Sequence, residues 1–425
     1  MKRPILAALT ALTLFTPLAF ASPAQDLFDQ AGFYLSFNYN GFSPSNAEQL
    51  VDKYQIQLDR ACAVKREQCE YSVAETLIEA MLEELGDQHS YYISERDAGG
   101  FAASPGGDAG SARQITMGIL PAPFAYSGGL AVRVVELLEG SPAEQAGVQR
   151  LDAITAINGQ RFPSASSAAR TFYQAADGGD SLVRLTIDRA GKTVEVTVKP
   201  RLTDLSLFDL PFMNVVAGVA RIRVTDFTGY NQIAPKLHML VKKAQGLGVK
   251  AIVVDLRDNP GGTATECLAG VSAFVPDVTR VRETRHERFM DVYAAGRVYF
   301  KNDITGKEDT YYTIPSPAKW LGKLSVLVNK ESASCAEYFA SDVQAAKRGS
   351  VIGERTYGLG NTGTRLFELI NGGRVAVTLL KSLFPNGTPY PERVNPDFFV
   401  RDNFENLVLR GTDDVYNRAL QELGL

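Results

Sequence analysis

The segment from residue 324 to residue 358 constrains the fold of this chain more than any other. It opens with an apolar, branched run at residues 324–328, which is typical of a buried strand, and a second such run follows at residues 350–352. Between the two runs, a polar turn leads into apolar residues at helical spacing, namely Ala336, Phe339, Ala340 and Val343. The segment therefore predicts a strand, a tight elbow, a helix and a second strand, which is the alternation of an α/β fold.

Ser334 lies at the predicted start of this helix. Backbone N–H groups at a helix start have no partner inside the helix, and the helix dipole is positive there, so they can hold an oxyanion beside a serine hydroxyl. A simpler role fits the same residues, because Ser334 followed by Glu337 is also a capping box, which needs no catalysis. The local pattern leaves both interpretations open.

The sequence around Ser334 reads Ser-Ala-Ser-Cys-Ala-Glu and resembles the active-site elbow of the C-terminal processing peptidases, or tail-specific proteases. This resemblance implies that Ser334 is a nucleophile. In that family the general base is a lysine in a Gly-Glu-x-Thr-Phe-Gly-Lys-Gly motif, whereas the matching residues 353–360 of this chain place Leu359 at the lysine position. Because leucine cannot accept a proton, either the base comes from elsewhere in the chain or the activity has been lost.

Histidine suits the role of general base because its pKa of about 6.5 lies near working pH. Of the three histidines, His238 falls in a predicted helix and His286 in a charged run, and we expect both to be surface or packing residues. His89 falls on a loop after a predicted helix, where functional side chains concentrate. Residues 85–92 resemble a Leu-Asp-Pro-His-Ser-like segment of the family, and in its tricorn-core branch this histidine is the base.

The same branch has a glutamate just before the closing Gly-Ile-x-Pro-Asp segment, and Glu392 occupies that position. The resemblance thus implies a catalytic triad of Ser334, His89 as general base and Glu392 as the orienting acid. Lys347 and Lys381 are the alternative bases, although a lysine serves only if burial lowers its pKa well below about 10.4. Lys347 follows a helix beside another charge and is expected to face solvent.

A second loop predicted to close a buried strand supplies the expected oxyanion donors. Residues 251–256 predict the strand, and Arg-Asp-Asn-Pro-Gly-Gly follows at residues 257–262. Paired glycines let the backbone approach a bound group closely, although an ordinary strand-to-helix turn could have the same sequence. The run Asp-Leu-Arg-x-Asn-Pro-Gly-Gly is a marker of the tail-specific proteases, and it implies an oxyanion hole built from Gly261 or Gly262 together with Cys335.

Residues 111–201 resemble a PDZ domain, which captures the C-terminal carboxylate of a peptide on exposed amides and adds the peptide as a strand. Met117, Gly118 and Ile119 correspond to its carboxylate-binding loop, and residues 164–176 to the helix beside the groove. The Gly-Ser-Pro-Ala-Glu-Gln-Ala-Gly-Val run at residues 140–148 carries much of this resemblance. A small β-rich domain that binds nothing is the alternative.

The remaining segments complete the domain organisation. Residues 1–21 predict a signal peptide cleaved after Ala21, because a positive start and an apolar centre precede Ala-Phe-Ala, so we expect a periplasmic or secreted protein. Residues 22–98 predict a helical segment, residues 99–110 a mobile loop, and residues 202–425 the peptidase core. Residues 279–315 show no clear periodic pattern of apolar residues and are expected to form a surface insertion or flap.

The four cysteines are compatible with disulfides in an exported protein. Cys62 and Cys69 are the expected pair, while Cys267 and Cys335 are either a second pair or two buried thiols. Neither Cys-x-x-Cys nor clustered histidines occur, so no metal and no cofactor are expected. The formal charge of −4 and the lack of a basic block argue against nucleic acid, and no later apolar run is long enough for a membrane span.

The sequence as a whole therefore predicts a mixed α/β fold: a helical N-terminal segment, a PDZ-like β-rich domain and a sheet-and-helix core of the tail-specific protease, crotonase-like type. The predicted function is a serine endopeptidase that acts on proteins or peptides with free C-termini, and assembly as a homo-oligomer is left open. The alternatives on the same fold are an inactive peptide-binding scaffold and a hydrophobic-ligand carrier, since interphotoreceptor retinoid-binding modules resemble this fold.

Overall fold

The computed structural model describes residues 22–96, 113–138, 140–177, 181–204 and 210–425. The predicted signal peptide and the predicted loop at residues 99–110 lie outside these ranges. No helix in the described ranges is both long enough and apolar enough to cross a membrane. The chain divides into two compact units, and the first contains residues 22–37, 43–96 and 366–377.

The first unit is mainly helical. Its elements are α1 (Pro23–Asn38), α2 (Ala47–Cys62), a 3-10 helix (Arg66–Gln68), α3 (Tyr71–Leu85) and β1 (Tyr91–Ile93). The buried residues of α3 recur at helical spacing, because one face of this helix packs against α2. Gly86 ends α3 in the left-handed conformation, with φ 69°. Strand β1 pairs antiparallel with residues 374–376. These helices confirm the predicted N-terminal part of the fold.

The second unit begins with an antiparallel β-rich region. Its elements are β2 (Arg113–Thr116), β3 (Ile119–Tyr126), β4 (Gly129–Leu137), α4 (Pro142–Gln145), β5 (Ala153–Ile157), β6 (Gln160–Arg161), α5 (Ala165–Asp177), β7 (Val183–Arg189), β8 (Lys192–Val198) and β9 (Arg201–Asp204). The sheet has the order β3-β4-β5-β7-β8, with β6 beside β5, while β2 pairs with β9. Phe172 of α5 packs with Ile154 and Leu185 of the sheet in one apolar core.

Residues 210–425 form two further sheets with helices. The elements are β10 (Phe212–Val216), β11 (Val219–Arg223), α6 (Ile233–Gly246), β12 (Ala251–Asp255), α7 (Ala264–Val271), β13 (Thr279–Thr284), β14 (Arg288–Ala294), β15 (Arg297–Asn302), β16 (Glu308–Thr313), β17 (Lys323–Val328), α8 (Cys335–Ala345), β18 (Ser350–Gly353), β19 (Thr362–Glu368), β20 (Arg374–Leu383), β21 (Phe398–Phe399), α9 (Phe404–Arg410) and α10 (Asp414–Glu422).

The central sheet of this region has the order β10-β11-β12-β17-β18-β21, and the strands from β11 onward are parallel. Helices α6, α7 and α8 contribute to the large apolar core on one face, and α10 packs on the other face. Burial on both faces explains why β12 and β17 read as continuous apolar runs. The mixed α/β fold is as predicted.

The second sheet differs from the prediction for residues 279–315. These residues form four regular antiparallel strands, β13 to β16, and β13 also pairs with residues 380–383 of β20. Val281 and Val298 are buried although charged residues surround them in the sequence. The segment predicted as a surface insertion or flap is therefore a set of paired strands with buried residues. Cross-strand pairing stabilises these strands, and the weak alternation of apolar residues in the sequence did not predict them.

Candidate active site

Two loops leave the same edge of the central sheet and meet there. Strands β12 and β17 are parallel neighbours, with Asp255 opposite Leu327, so the segments that follow both strands begin side by side. The first loop leads into α7 and the second into α8. The Ala333 N–H of the second loop donates a hydrogen bond to the Asn259 carbonyl of the first, at 2.9 Å.

Ser334 stands at the elbow between the second loop and α8. Its backbone has φ 50° and ψ −112°, a region that residues with a side chain rarely adopt. The Ser334 carbonyl accepts from the Tyr338 N–H at 2.9 Å, so α8 begins directly after it. A strained serine between a strand and a helix presents its hydroxyl at the edge of a sheet, as nucleophile elbows do.

Gly261 lies directly against the elbow. A Cβ atom at this position would be 2.6 Å from the Ser334 Cβ and 3.0 Å from the Cys335 nitrogen, and the φ of 106° also favours glycine. Gly262 is equally constrained on the other side, since a Cβ there would be 2.2 Å from the Phe227 carbonyl carbon. Both glycines are therefore required by close approach of the backbone.

The two glycines differ in the hydrogen bonds that their N–H groups make. The Gly261 N–H donates to the Asn259 side-chain oxygen at 2.8 Å, and the Asn259 amide in turn donates to the Val224 carbonyl at 2.9 Å. The N–H groups of Gly262 and Cys335, by contrast, donate no hydrogen bond to any residue that the structure describes. These two donors belong to the residues that directly follow Gly261 and Ser334 in the chain.

Glu337 joins the elbow to residues 356–359, which include the position of the family's lysine. Its carboxylate is fully buried and accepts from the N–H groups of Ser334 at 2.7 Å, Gly358 at 2.9 Å and Leu359 at 2.7 Å, and from the Thr356 hydroxyl. Burial raises the pKa of Glu337, and these hydrogen bonds act in the opposite direction. The capping-box pattern predicted only the bond to Ser334, because the other donors lie farther along the chain.

Both pairs of cysteines form disulfides. Cys62 is bonded to Cys69, as expected, with a Cα–Cα distance of 5.5 Å. Cys267 is bonded to Cys335, with a Cα–Cα distance of 5.6 Å, so the second pair that the sequence left open is a disulfide.

His89 lies in the first unit, on the loop between α3 and β1. Its backbone N–H donates to the Asp87 carboxylate at 2.9 Å. Burial lowers the pKa of His89, and the nearby charge of Asp87 offsets part of this effect. The imidazole therefore favours its neutral form, which is the form that accepts a proton. Its role as base remains a prediction.

The other predicted catalytic side chains differ in exposure. The Glu392 side chain is 61% exposed and lies 3.9 Å from the Arg393 guanidinium, while its carbonyl accepts from the Gly360 N–H at 2.9 Å. Lys347 is exposed, as expected. The Lys381 ammonium lies 4.9 Å from the centre of the Phe42 ring. Glu392 as the orienting acid also remains a prediction.

Comparison with known proteins identifies the region that carries the elbow. A family model described as "Peptidase family S41" matches residues 218–400, and one described as "PDZ domain" matches residues 111–199. Residues 218–400 belong to peptidase family S41. The matched region contains Ser334, both glycines and Glu392, and residues 111–199 form a PDZ domain.

Two curated relatives are named as proteases, and one solved structure shares the fold. The chain is 24% identical to a "Probable CtpA-like serine protease" of Staphylococcus haemolyticus, over 81% of this chain and 64% of that protein. It is 30% identical to a "Carboxyl-terminal-processing protease" of Synechocystis sp., over 59% of this chain and 54% of that protein. The fold resembles that of a putative S41 protease from Bacteroides fragilis, with TM-score 0.54, 17% identity, and coverage of 81% of this chain and 90% of the other.

Among the described residues, no strand pairs with the outer edge of β3, which begins at the predicted carboxylate-binding loop. Strand β3 ends the strand order of its sheet, and α5 packs beside it. Gly118 has φ 73°, and a Cβ there would be 2.4 Å from the Ser141 Cβ, so this loop needs glycine. Pro121 and Pro123 face Val134 and Val132 across the ladder. Because proline has no N–H, these two residues offer only carbonyl groups for pairing.

A buried network of charges joins the PDZ domain to the S41 core within the second unit. Glu136 of β4 pairs with Arg221 of β11 at 3.2 Å, and Asp255 pairs with Arg221 and Arg257 at 2.7 and 2.8 Å. Burial by itself would raise the pKa of Asp255, but these arginines outweigh it and hold that pKa well below its usual value. Arg133 of the PDZ domain also lies 3.6 Å from Asp258, next to the glycine loop.

Proposed function

We propose that this chain is an exported serine endopeptidase of the C-terminal processing type. One observation carries the proposal: Ser334 stands on a left-handed elbow against Gly261, and the N–H groups of the next residues in each loop, Gly262 and Cys335, donate to none of the described residues. Acyl transfer by serine needs this combination of an accessible hydroxyl and preorganised donors.

In the proposed reaction, the Ser334 hydroxyl attacks the scissile carbonyl while His89 accepts its proton. The negative charge that develops on the carbonyl oxygen is held by the N–H groups of Gly262 and Cys335. His89 then returns the proton to the leaving amine, and the C–N bond breaks to give an acyl-enzyme. Water, deprotonated by His89, attacks the ester and releases the new C-terminus from Ser334.

Two properties of the chain favour His89 over a lysine as the base. Leu359 at the family's lysine position cannot accept a proton, and burial lowers the pKa of His89, so the neutral imidazole is present at neutral pH. We assign Glu392 the role of accepting from the second ring nitrogen of His89, which would fix the tautomer and stabilise the imidazolium. This role requires the Glu392 side chain to turn away from Arg393.

The PDZ domain would supply substrates by binding their free C-terminal carboxylates at Met117, Gly118 and Ile119. Its buried charges are continuous with the loop that carries Gly262, so the two regions would act as one body. The Ala-Phe-Ala run before residue 22 supports export, and the mature protein would act in the periplasm or outside the cell.

A covalent serine probe tests the proposal. A biotinylated fluorophosphonate should label the intact chain, and Ser334→Ala should abolish the labelling. His89→Ala should also abolish it, whereas Lys381→Ala and the surface control His286→Ala should not. Labelling that survives in His89→Ala would reject His89 as the base. If the wild-type chain is not labelled and cleaves no peptide, an inactive peptide-binding scaffold or a hydrophobic-ligand carrier is the better account.

A further inference from the structure

The two segments that carry the proposed oxyanion donors are tied by a covalent bond. Cys335 directly follows Ser334 and begins α8, and Cys267 lies in the helix α7 that the glycine loop enters just after Gly262. Their disulfide links positions 68 residues apart in the chain. The disulfide therefore connects the start of α8, where the donor Cys335 lies, to α7, which follows the donor Gly262.

The sulfur atoms lie against the glycine loop itself. The Cys335 Sγ is 3.5 Å from the Gly262 carbonyl oxygen and 3.4 Å from the Thr263 carbonyl oxygen. Cys267 and Cys335 are 0% and 1% exposed. The bond is therefore part of the packed support of the loop and is shielded from solvent.

The disulfide constrains the separation of the two proposed oxyanion donors. Oxyanion donors stabilise a transition state only when they are held at hydrogen-bond distance from the developing charge before the reaction begins. Gly261 lies next to the Cys335 nitrogen, and the disulfide at Cys335 holds α8 to α7. The Thr263 N–H fixes the start of α7 by donating to the Phe227 carbonyl at 2.7 Å. Without the disulfide, packing and the hydrogen bond from the Ala333 N–H to the Asn259 carbonyl would set the separation of the donors.

We infer that Cys267 is a positioning residue for the oxyanion hole, acting through its disulfide to Cys335; this inference rests on the proposed function. The crosslink holds the Cys335 N–H in place relative to the Gly262 N–H. The Cys62–Cys69 disulfide, which belongs to the first unit and closes a separation of 7 residues, provides a matched control. A disulfide that only stabilised the fold would change unfolding without changing turnover.

The first test compares two double variants of the full chain. Cys267→Ala/Cys335→Ala removes the crosslink but keeps the N–H of residue 335, and Cys62→Ala/Cys69→Ala removes the control disulfide. Both are assayed with a peptide substrate at a temperature at which circular dichroism shows each variant to be folded. Deleting one oxyanion donor costs roughly 10²- to 10³-fold in kcat, so displacing one should lower kcat by about 10- to 100-fold, with KM changed by less than about twofold. The control should keep both constants.

A second test uses the unaltered elbow, in case the first variant does not fold. In the Cys62→Ala/Cys69→Ala background only the Cys267–Cys335 disulfide remains. Dithiothreitol in mild denaturant gives it two electrons and two protons, yielding two thiols and cyclic oxidised dithiothreitol. After the denaturant is removed, mass spectrometry of alkylated samples gives the reduced fraction. The kcat should fall in proportion to that fraction and recover on reoxidation.

The outcomes separate this inference from the function on which it rests. A wild-type chain that no serine probe labels and that cleaves no peptide refutes the proposed function. Normal wild-type labelling with an unchanged kcat, both after loss of Cys267–Cys335 and after reduction, overturns the positioning role alone. An equal loss of kcat in the Cys62→Ala/Cys69→Ala control, or a change confined to KM, overturns it as well.

Discussion

The substitution Gly261→Ala would place a methyl group against the proposed nucleophile. The added Cβ would lie 2.6 Å from the Ser334 Cβ and 3.0 Å from both the Ala333 oxygen and the Cys335 nitrogen. Carbon atoms in contact are about 3.5–4.0 Å apart, so the elbow must move by roughly 1 Å. A misplacement of this size costs about 100-fold, and the expected loss in kcat/KM corresponds to about 2.7 kcal/mol of transition-state stabilisation.

Gly387→Ala is the matched control for this experiment. Gly387 has φ 83°, and a Cβ there would meet no atom of the described residues within 4 Å. Alanine at positive φ costs about 1 to 3 kcal/mol at either position. The clash at position 261 adds to this cost, so Gly261→Ala should be the less stable variant, and activities are compared at a temperature at which both are folded. Only Gly261→Ala should lose activity. Kinetics with a peptide substrate and thermal unfolding of both variants measure the two effects. If folded Gly261→Ala keeps activity within threefold of wild type, or Gly387→Ala loses as much, the geometry argued for the elbow is wrong.

Four further changes probe other parts of the molecule. Glu337→Gln should lower kcat about tenfold and lower the free energy of unfolding in denaturant by about 1 to 3 kcal/mol. The reason is that a buried carboxylate with charge-assisted hydrogen bonds is lost. A variant that shows neither effect would contradict the bridging role of this carboxylate. Since burial lowers the pKa of His89, kcat/KM should fall on the acid side only below about pH 6.5, and an acid limb above pH 7 in the pH–rate profile would exclude this base. Burial also lowers the pKa of His238, so the unfolded chain binds more protons and the free energy of unfolding should fall as pH decreases below about 6.5. Urea midpoints at pH 7.5 and 5 measure this, and His238→Asn should weaken the dependence. Replacing Pro121 and Pro123 by valine adds N–H donors to β3 and should tighten binding of a peptide with a free C-terminus by about 2- to 10-fold per donor, but not of its amidated form, in calorimetry.

Local patterns of the sequence predicted the elements around the site but not their contacts. The sequence predicts β12, β17, the elbow and α8. A parallel strand buried on both faces is a continuous apolar run, and a helix has apolar residues at helical spacing, so both patterns are local. The sheet β13 to β16 was missed because its stability comes from cross-strand pairs, which are set by neighbours that are distant in sequence. The full role of Glu337 was missed for the same reason, since Gly358 and Leu359 are brought to it only by folding.

The sequence by itself determined the class of fold, the PDZ domain and the S41 core, since each rests on motifs that span only a few residues. Only the tertiary structure placed Gly261 against Ser334, satisfied the Gly261 N–H with Asn259 and left that of Gly262 open, and closed the disulfide at Cys335. The physical reason is that β12 and β17 are parallel neighbours, which brings loops far apart in the chain to the same edge of one sheet. Distances of a few ångströms across that edge depend on packing of the whole core, and no short stretch of sequence encodes them.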